Sequence, residues 1–213
     1  MQQFFIQGLA GMLQTVIDRP KTNTHINITS IICHPHPLFQ GTMNNKVITT
    51  IAKAFNHLGI EAIRFNYRGV GKSHGTYANG NGELKDTICI IKNLLEKKPD
   101  QKIILAGFSF GGVIAYKAAM QYPNQIKSLL TIAPSIVNFP LNQYPEPVMP
   151  WLLIQGIDDE VVSYEAVCDF FIRKTSVDAN FIRLNNVGHF FHGQLVKLRK
   201  QIEQYYQTKV TTW

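Results

Sequence analysis

Lys102–Ala119 reads KIILAGFSFGGVIAYKAA. Ile103 to Ala106 is a short apolar run of the kind that fills a buried strand, Gly107-Phe108-Ser109-Phe110-Gly111 follows, and a segment of helical length begins at once. The order is therefore strand, sharp turn, helix. A serine at the tip of so tight a turn has a strained backbone, and glycines are needed two residues to either side, where a Cβ would strike the neighbouring strand or helix. The helix that follows directs unpaired N–H groups and the positive end of its dipole at the serine oxygen. Gly-x-Ser-x-Gly by itself also occurs in ordinary glycine-rich turns, so the rest of the chain has to supply its meaning.

Working outward, strand-like and helix-like stretches alternate on both sides. Upstream, residues 3–18 read as a hairpin around Gly8 to Gly11, residues 27–33 (NITSIIC) as an interior strand, 44–58 as an amphipathic helix stopped by Gly59, 60–67 as a strand, and 84–95 as a helix. Downstream come a strand at 126–132, a polar, proline-bearing connection to Pro150, a strand at 151–155, a helix capped by Ser163, a strand at 180–184 and a final helix through Leu195, Leu198, Ile202 and Tyr205. This alternation predicts an α/β fold with a mostly parallel sheet covered on both faces. The 213 residues are expected to form one domain over 1–213, and the connection at 133–150 is too short for a large helical cap.

Composition narrows the function classes. Cys33, Cys89 and Cys168 are far apart and odd in number, which gives neither a disulfide framework nor a CxxC site and suggests a reducing, cytoplasmic setting. The apolar start has no basic residue before Arg19, unlike a signal peptide, and no run has the length of a membrane span. A net charge of +7 raises nucleic acid as a partner, but the basic residues are scattered, so neither nucleic acid nor membrane is expected. Gly-Val-Gly-Lys-Ser at 69–73 resembles the end of a phosphate-binding loop, yet the first glycine that this motif requires is missing.

In a parallel sheet, reactive groups gather at the carboxyl ends of the strands. Ser109, the segment Gly156–Val162 and the segment Val187–His189 each follow a strand. They supply a hydroxyl, carboxylates and an imidazole in the chain order Ser, Asp, His. A serine needs a base within reach, and a histidine needs a carboxylate to hold its tautomer. His34-x-His36 offers a different chemistry, a metal site completed by His25, His74, His189 or His192, although no His-Glu-x-x-His helix or cysteine pair accompanies it.

GFSFGG at 107–112, CHPHPLFQGTMNNK at 33–46, FNYRGVGKSHG at 65–75 and NVGHFFHG at 186–193 together resemble an α/β-hydrolase, of the small lidless type similar to dienelactone hydrolases and prolyl oligopeptidases. The resemblance runs from about residue 27 onward and implies a serine hydrolase without cofactor, acting on a small-molecule ester. The family pattern Gly-x-x-Asp-x-x-Val selects Asp159, with Asp158 one residue off, and the Gly-His pair selects His189, leaving His192 to pack or cap at the start of the last helix. Ser109 stands where dienelactone hydrolases proper have cysteine. The implied oxyanion hole uses the Phe110 amide and one from the loop His36 to Leu38; the resemblance favours His36, which stands where the residue after the family's His-Gly pair would be, and Pro35 and Pro37 have no N–H to donate. Arg68 and Ser73 are expected to fix a loop. Phe39, Phe108, Phe110, Phe190 and Phe191 are expected to crowd the site and make an apolar acyl pocket. Thioesters or peptides are alternative substrates, and a non-catalytic binding protein of the same fold is the alternative from another class.

Overall fold

The computed structural model describes residues 2–21, 26–174 and 178–210. Its elements are β1 (Gln2–Gly8), β2 (Gly11–Asp18), β3 (Ile28–Cys33), α1 (Lys46–His57), β4 (Glu61–Phe65), α2 (Asn81–Lys97), β5 (Lys102–Phe108), α3 (Phe110–Ala119), β6 (Ile126–Ile132), β7 (Trp151–Gly156), α4 (Tyr164–Arg173), β8 (Ala179–Leu184) and α5 (Leu195–Val210). The strands make one sheet in the order β1-β2-β4-β3-β5-β6-β7-β8. The hairpin is antiparallel and joins β4 antiparallel, and every other pairing is parallel.

The period-two alternation of each interior strand divides the core in two. Ile103 and Leu105 of β5 pack into the cluster that holds Val113, Tyr116, Trp151 and Phe170, under α2, α3 and α4. Ile104 and Ala106 face the other way, into the cluster with Ile48, Phe55, Leu198 and Tyr206, under α1 and α5. With both faces covered, β3 and β7 are buried throughout, which is why they read as continuous apolar runs. β8, at the edge, is buried only at its last residue.

Strand order also decides where a site forms. From β3 the chain passes through α1 to β4 on one side, and from β5 it passes through α3 to β6 on the other. The loops leaving β3 and β5 therefore part, and a crevice opens outside the carboxyl ends of these neighbouring strands. The loop after β3 is the His34–Gly41 segment, and the loop after β5 is the Ser109 turn.

The cap residues behave as their chemistry requires. Asn45 accepts the Val47 N–H at 2.9 Å at the start of α1, and Ser163 Oγ accepts the Ala166 N–H at 3.2 Å at the start of α4. Arg68 pairs with the buried Asp86 at 2.6 Å, while Ser73 donates to Asn66 O at 2.7 Å and accepts from Gln14 N, so both residues tie down the loop after β4. His192 differs from expectation: α5 begins three residues later, at Leu195, and His192 is exposed beside Phe190.

Candidate active site

The turn between β5 and α3 is built by collisions that glycine avoids. A Cβ on Gly107 would lie 2.1 Å from Gly111 O, and one on Gly111 would lie 2.1 Å from Cys33 O. Ser109 itself has φ 55° and ψ −120°, a conformation costly for a residue with a side chain and found where surrounding structure enforces it. Its N–H donates to Ile132 O at 2.9 Å and its carbonyl accepts from Gly112 N and Ser135 N, so the strained residue is held from both sides. The hydroxyl is thereby raised at the N-terminus of α3.

Three side chains from three loops then meet. His189 Nε2 lies 3.1 Å from Ser109 Oγ, and His189 Nδ1 lies 2.9 and 3.1 Å from the two carboxylate oxygens of Asp159. Because a carboxylate only accepts, Nδ1 carries the proton, which leaves Nε2 as an acceptor facing the serine hydroxyl. Ser109 and His189 are almost wholly buried, and the Asp159 side chain has no exposure at all.

Burial of Asp159 is matched by donors. Oδ1 accepts Val161 N–H at 3.0 Å and Val162 N–H at 2.7 Å, and Oδ2 accepts from Gln155 Nε2 at 2.8 Å. The neighbouring Asp158 is exposed, with its amide bonded to Val187 O, and makes no contact with His189. Of the two adjacent carboxylates, Asp159, the one that the family pattern selects, points inward, and Asp158 does not.

His189 is fixed by more than its ring. Its N–H donates to Glu160 Oε2 at 3.0 Å, and the ring lies over Phe108, centroids 5.0 Å apart, with Phe191 packed behind. Phe108 and Phe191 are thus a buried floor for the base and not walls of an acyl pocket. Phe39 and Phe190 also depart from the expected crowding, since they are 82% and 46% exposed and stand at the rim. Phe110 alone of the five turns its buried ring toward the loop after β3. Gln155 and Glu160 were not singled out by sequence; a glutamine ending the apolar strand WLLIQ was the available signal for the first, and nothing local marked the second.

As the first residue of α3, Phe110 has no intrahelical acceptor for its N–H. In the loop after β3, Leu38 N–H is taken by His36 Nδ1 at 3.2 Å, and Phe39 and Gly41 both donate to His36 O, so these three amides are already engaged. Gly41 is required there, since a Cβ would fall 2.1 Å from Pro35 O. The metal reading of the two histidines meets a different obstacle. His34 is buried with Nδ1 on Pro35 O at 2.6 Å and Nε2 accepting Tyr67 N–H at 3.1 Å, so both nitrogens are already used. Among the described residues no three His, Cys, Asp or Glu side chains converge as a metal site would require; His25 lies outside them. No helix among the described residues is long and apolar enough to cross a membrane.

A mostly parallel sheet with helices on both faces, a serine on a strained strand-to-helix turn and no inserted cap define a class. The chain belongs to the α/β-hydrolase superfamily, in its small lidless serine-hydrolase type. Among particular relatives, an alpha-beta serine hydrolase homologue from Coxiella burnetii is 42% identical, with a TM-score of 0.91 and 96% of each chain covered. A serine hydrolase without lid from Xanthomonas campestris is 32% identical, with a TM-score of 0.90 and coverage of 97% of this chain and 94% of that one. The uncharacterized protein RP471 of Rickettsia prowazekii is 32% identical over 96% of this chain and 88% of its own. The family model for serine aminopeptidase, S33, matches residues 44–141. A shorter stretch of 99 residues is 33% identical to the rat mitochondrial palmitoyl-protein thioesterase ABHD10, covering 46% of this chain and 32% of that protein.

Proposed function

We propose that the protein hydrolyses small or medium carboxylic esters through an acyl-enzyme intermediate on Ser109. The observation that carries this reading is the continuous line from Ser109 Oγ through His189 to the buried Asp159. His189 Nε2 takes the Ser109 proton as Oγ attacks the ester carbonyl, and Asp159 holds the imidazole in the tautomer that can do so and stabilises the cation that results. Negative charge grows on the carbonyl oxygen, where the Phe110 and His36 amides are the donors that receive it. Collapse of the tetrahedral intermediate breaks the bond to the alcohol, which leaves with the proton from His189. Water, deprotonated by the same imidazole, then attacks the acyl group and returns Ser109 to its starting state.

A thioester in place of the ester is the second reading, favoured by the stretch shared with the palmitoyl-protein thioesterase ABHD10. The chemistry is unchanged, with a thiol as leaving group. Hydrolysis of short p-nitrophenyl esters is expected from the wild type and to fall by roughly 10,000-fold or more in Ser109→Ala and His189→Ala. A wild type that is inert on these esters and is not labelled at Ser109 by a fluorophosphonate overturns the reading and leaves a non-catalytic binding role. Faster turnover of acyl thioesters than of esters with the same acyl group selects the thioesterase.

A further inference from the structure

His36 is the centre of the loop after β3, and its side chain takes part in bonding that the mechanism above does not use. Its carbonyl accepts from Phe39 N and Gly41 N at 3.1 Å each, and its Nδ1 accepts from Leu38 N at 3.2 Å. An imidazole nitrogen that accepts bears no proton, so in the neutral ring Nε2 has it and donates to Tyr77 Oη at 3.0 Å. Burial holds the His36 pKa below its ordinary value, against a weaker opposing pull from Glu83, in keeping with a neutral ring.

Aromatic rings brace this imidazole from separate segments. Tyr77 from the loop after β4 and Phe110 from the Ser109 turn lie 4.9 Å away, Phe39 5.0 Å and Phe139 from the β6–β7 connection 5.7 Å. Phe110 is also the residue whose amide is one of the two donors. The ring of one donor residue therefore packs on the ring of the other, which couples the two loops. From below, His34 Nδ1 holds Pro35 O at 2.6 Å. In a planar trans peptide the His36 N–H points away from that carbonyl.

We propose that the His36 imidazole is a positioning residue for the oxyanion site: held between Leu38 N–H and Tyr77 Oη and packed on Phe110, it keeps the His36 amide in register with the Phe110 amide. The inference rests on the serine-hydrolase reading. Neither the imidazole nor Tyr77 takes a proton from the substrate, and their effect is exerted through the backbone amide. Loss of alignment weakens binding of the tetrahedral intermediate more than binding of the ground-state ester, so it lowers kcat and leaves KM nearly unchanged.

The test compares wild type, His36→Ala, His36→Asn and Tyr77→Phe, by p-nitrophenyl butyrate kinetics and by the rate of fluorophosphonate labelling of Ser109. His36→Ala keeps the amide and removes the ring, and kcat is expected to drop roughly tenfold or more with KM within about twofold. An asparagine oxygen accepts the N–H two residues on, so His36→Asn is expected to recover most of the loss, and Tyr77→Phe to fall between. A His36→Ala kcat within about twofold of wild type, or a His36→Asn variant no better than His36→Ala, overturns the inference. If wild type is labelled and His36→Ala is labelled at the same rate, this inference alone fails. If wild type is not labelled at all, the serine-hydrolase reading fails and this one with it.

Discussion

Asp159 and Asp158 are adjacent in sequence and alike in chemistry, yet their environments make their substitutions unequal. The Asp159 side chain is wholly buried and meets His189 Nδ1 together with three other donors, while Asp158 is exposed. Asp159→Asn presents an amide where an acceptor is needed and favours the wrong tautomer of His189. On p-nitrophenyl acetate its kcat is expected to fall roughly 10,000-fold. Asp158→Asn is expected to stay within about twofold of wild type, since it removes no group from the line of three. His34 gives a second prediction at this scale. Burial lowers its pKa from the ordinary 6.5 to about 3, against the bond that Nδ1 donates to Pro35 O, so the folded state refuses a proton that the unfolded chain accepts. The stability it contributes is fully present above pH 6.5 and is lost as pH falls from there toward about 3. Urea unfolding at a series of pH values should show a shallower decline across that window in His34→Asn, even though that variant starts less stable.

At the scale of elements, the site depends on backbones that come unusually close. Gly111→Ala places a methyl against the Cys33 carbonyl at 2.1 Å, backbone against backbone, with no flexible side chain to yield. The expected result is a loss of about 2 kcal/mol or more in urea unfolding, with esterase activity reduced together with stability. Arg64 performs a similar joining role by polar means. It is 2% exposed on β4, is paired with Asp18 of β2, and donates to Met43 O at 2.7 Å just before α1. Arg64→Met leaves the Asp18 carboxylate without its partner and should cost about 3 kcal/mol by the same measurement. The alternation of apolar residues marked most of these elements in the sequence, but not this bond, because nothing local to Arg64 indicates that β2 lies beside β4.

For the whole molecule, the consequence is an open site. The β6–β7 connection bears Phe139 back onto Phe110 and carries no helix that covers Ser109. Three clefts among the described residues, of about 340 to 420 Å³, do not have the serine in their linings, the first being lined by Ile136, Leu141 and Phe170 among others and the other two including Asp100 and Lys53. A hydrolase whose serine needs no cap to move should follow simple saturation kinetics on dissolved p-nitrophenyl butyrate. No jump in rate is expected when the substrate concentration passes the point at which it aggregates. That the site lies at the carboxyl ends of a parallel sheet is legible in the alternation of strands and helices, whereas the strand order that opens the crevice is not. Nor is the depth of the site: Phe39 and Phe190 sit beside motif residues in sequence, and only the direction of each loop turns them outward.

The Lys102–Ala119 stretch determined a good deal by itself. Covalent geometry limits what can follow a strand within five residues and still begin a helix, so Gly107, Ser109 and Gly111 carried their turn in their residue types, and the order of serine, aspartate and histidine followed from the chain. The resemblance at 33–46 and 186–193 added the loops that would complete the site. Tertiary structure alone decided which partners each of these groups met. The bond of Asp159 to His189, the support of His189 by Glu160, and the bond of His36 to Tyr77 all depend on distances between segments far apart in the chain. Hydrogen bonds act over about 3 Å and sequence specifies no distance between loops, so those contacts existed only once the sheet had placed β3, β4, β5, β7 and β8 side by side.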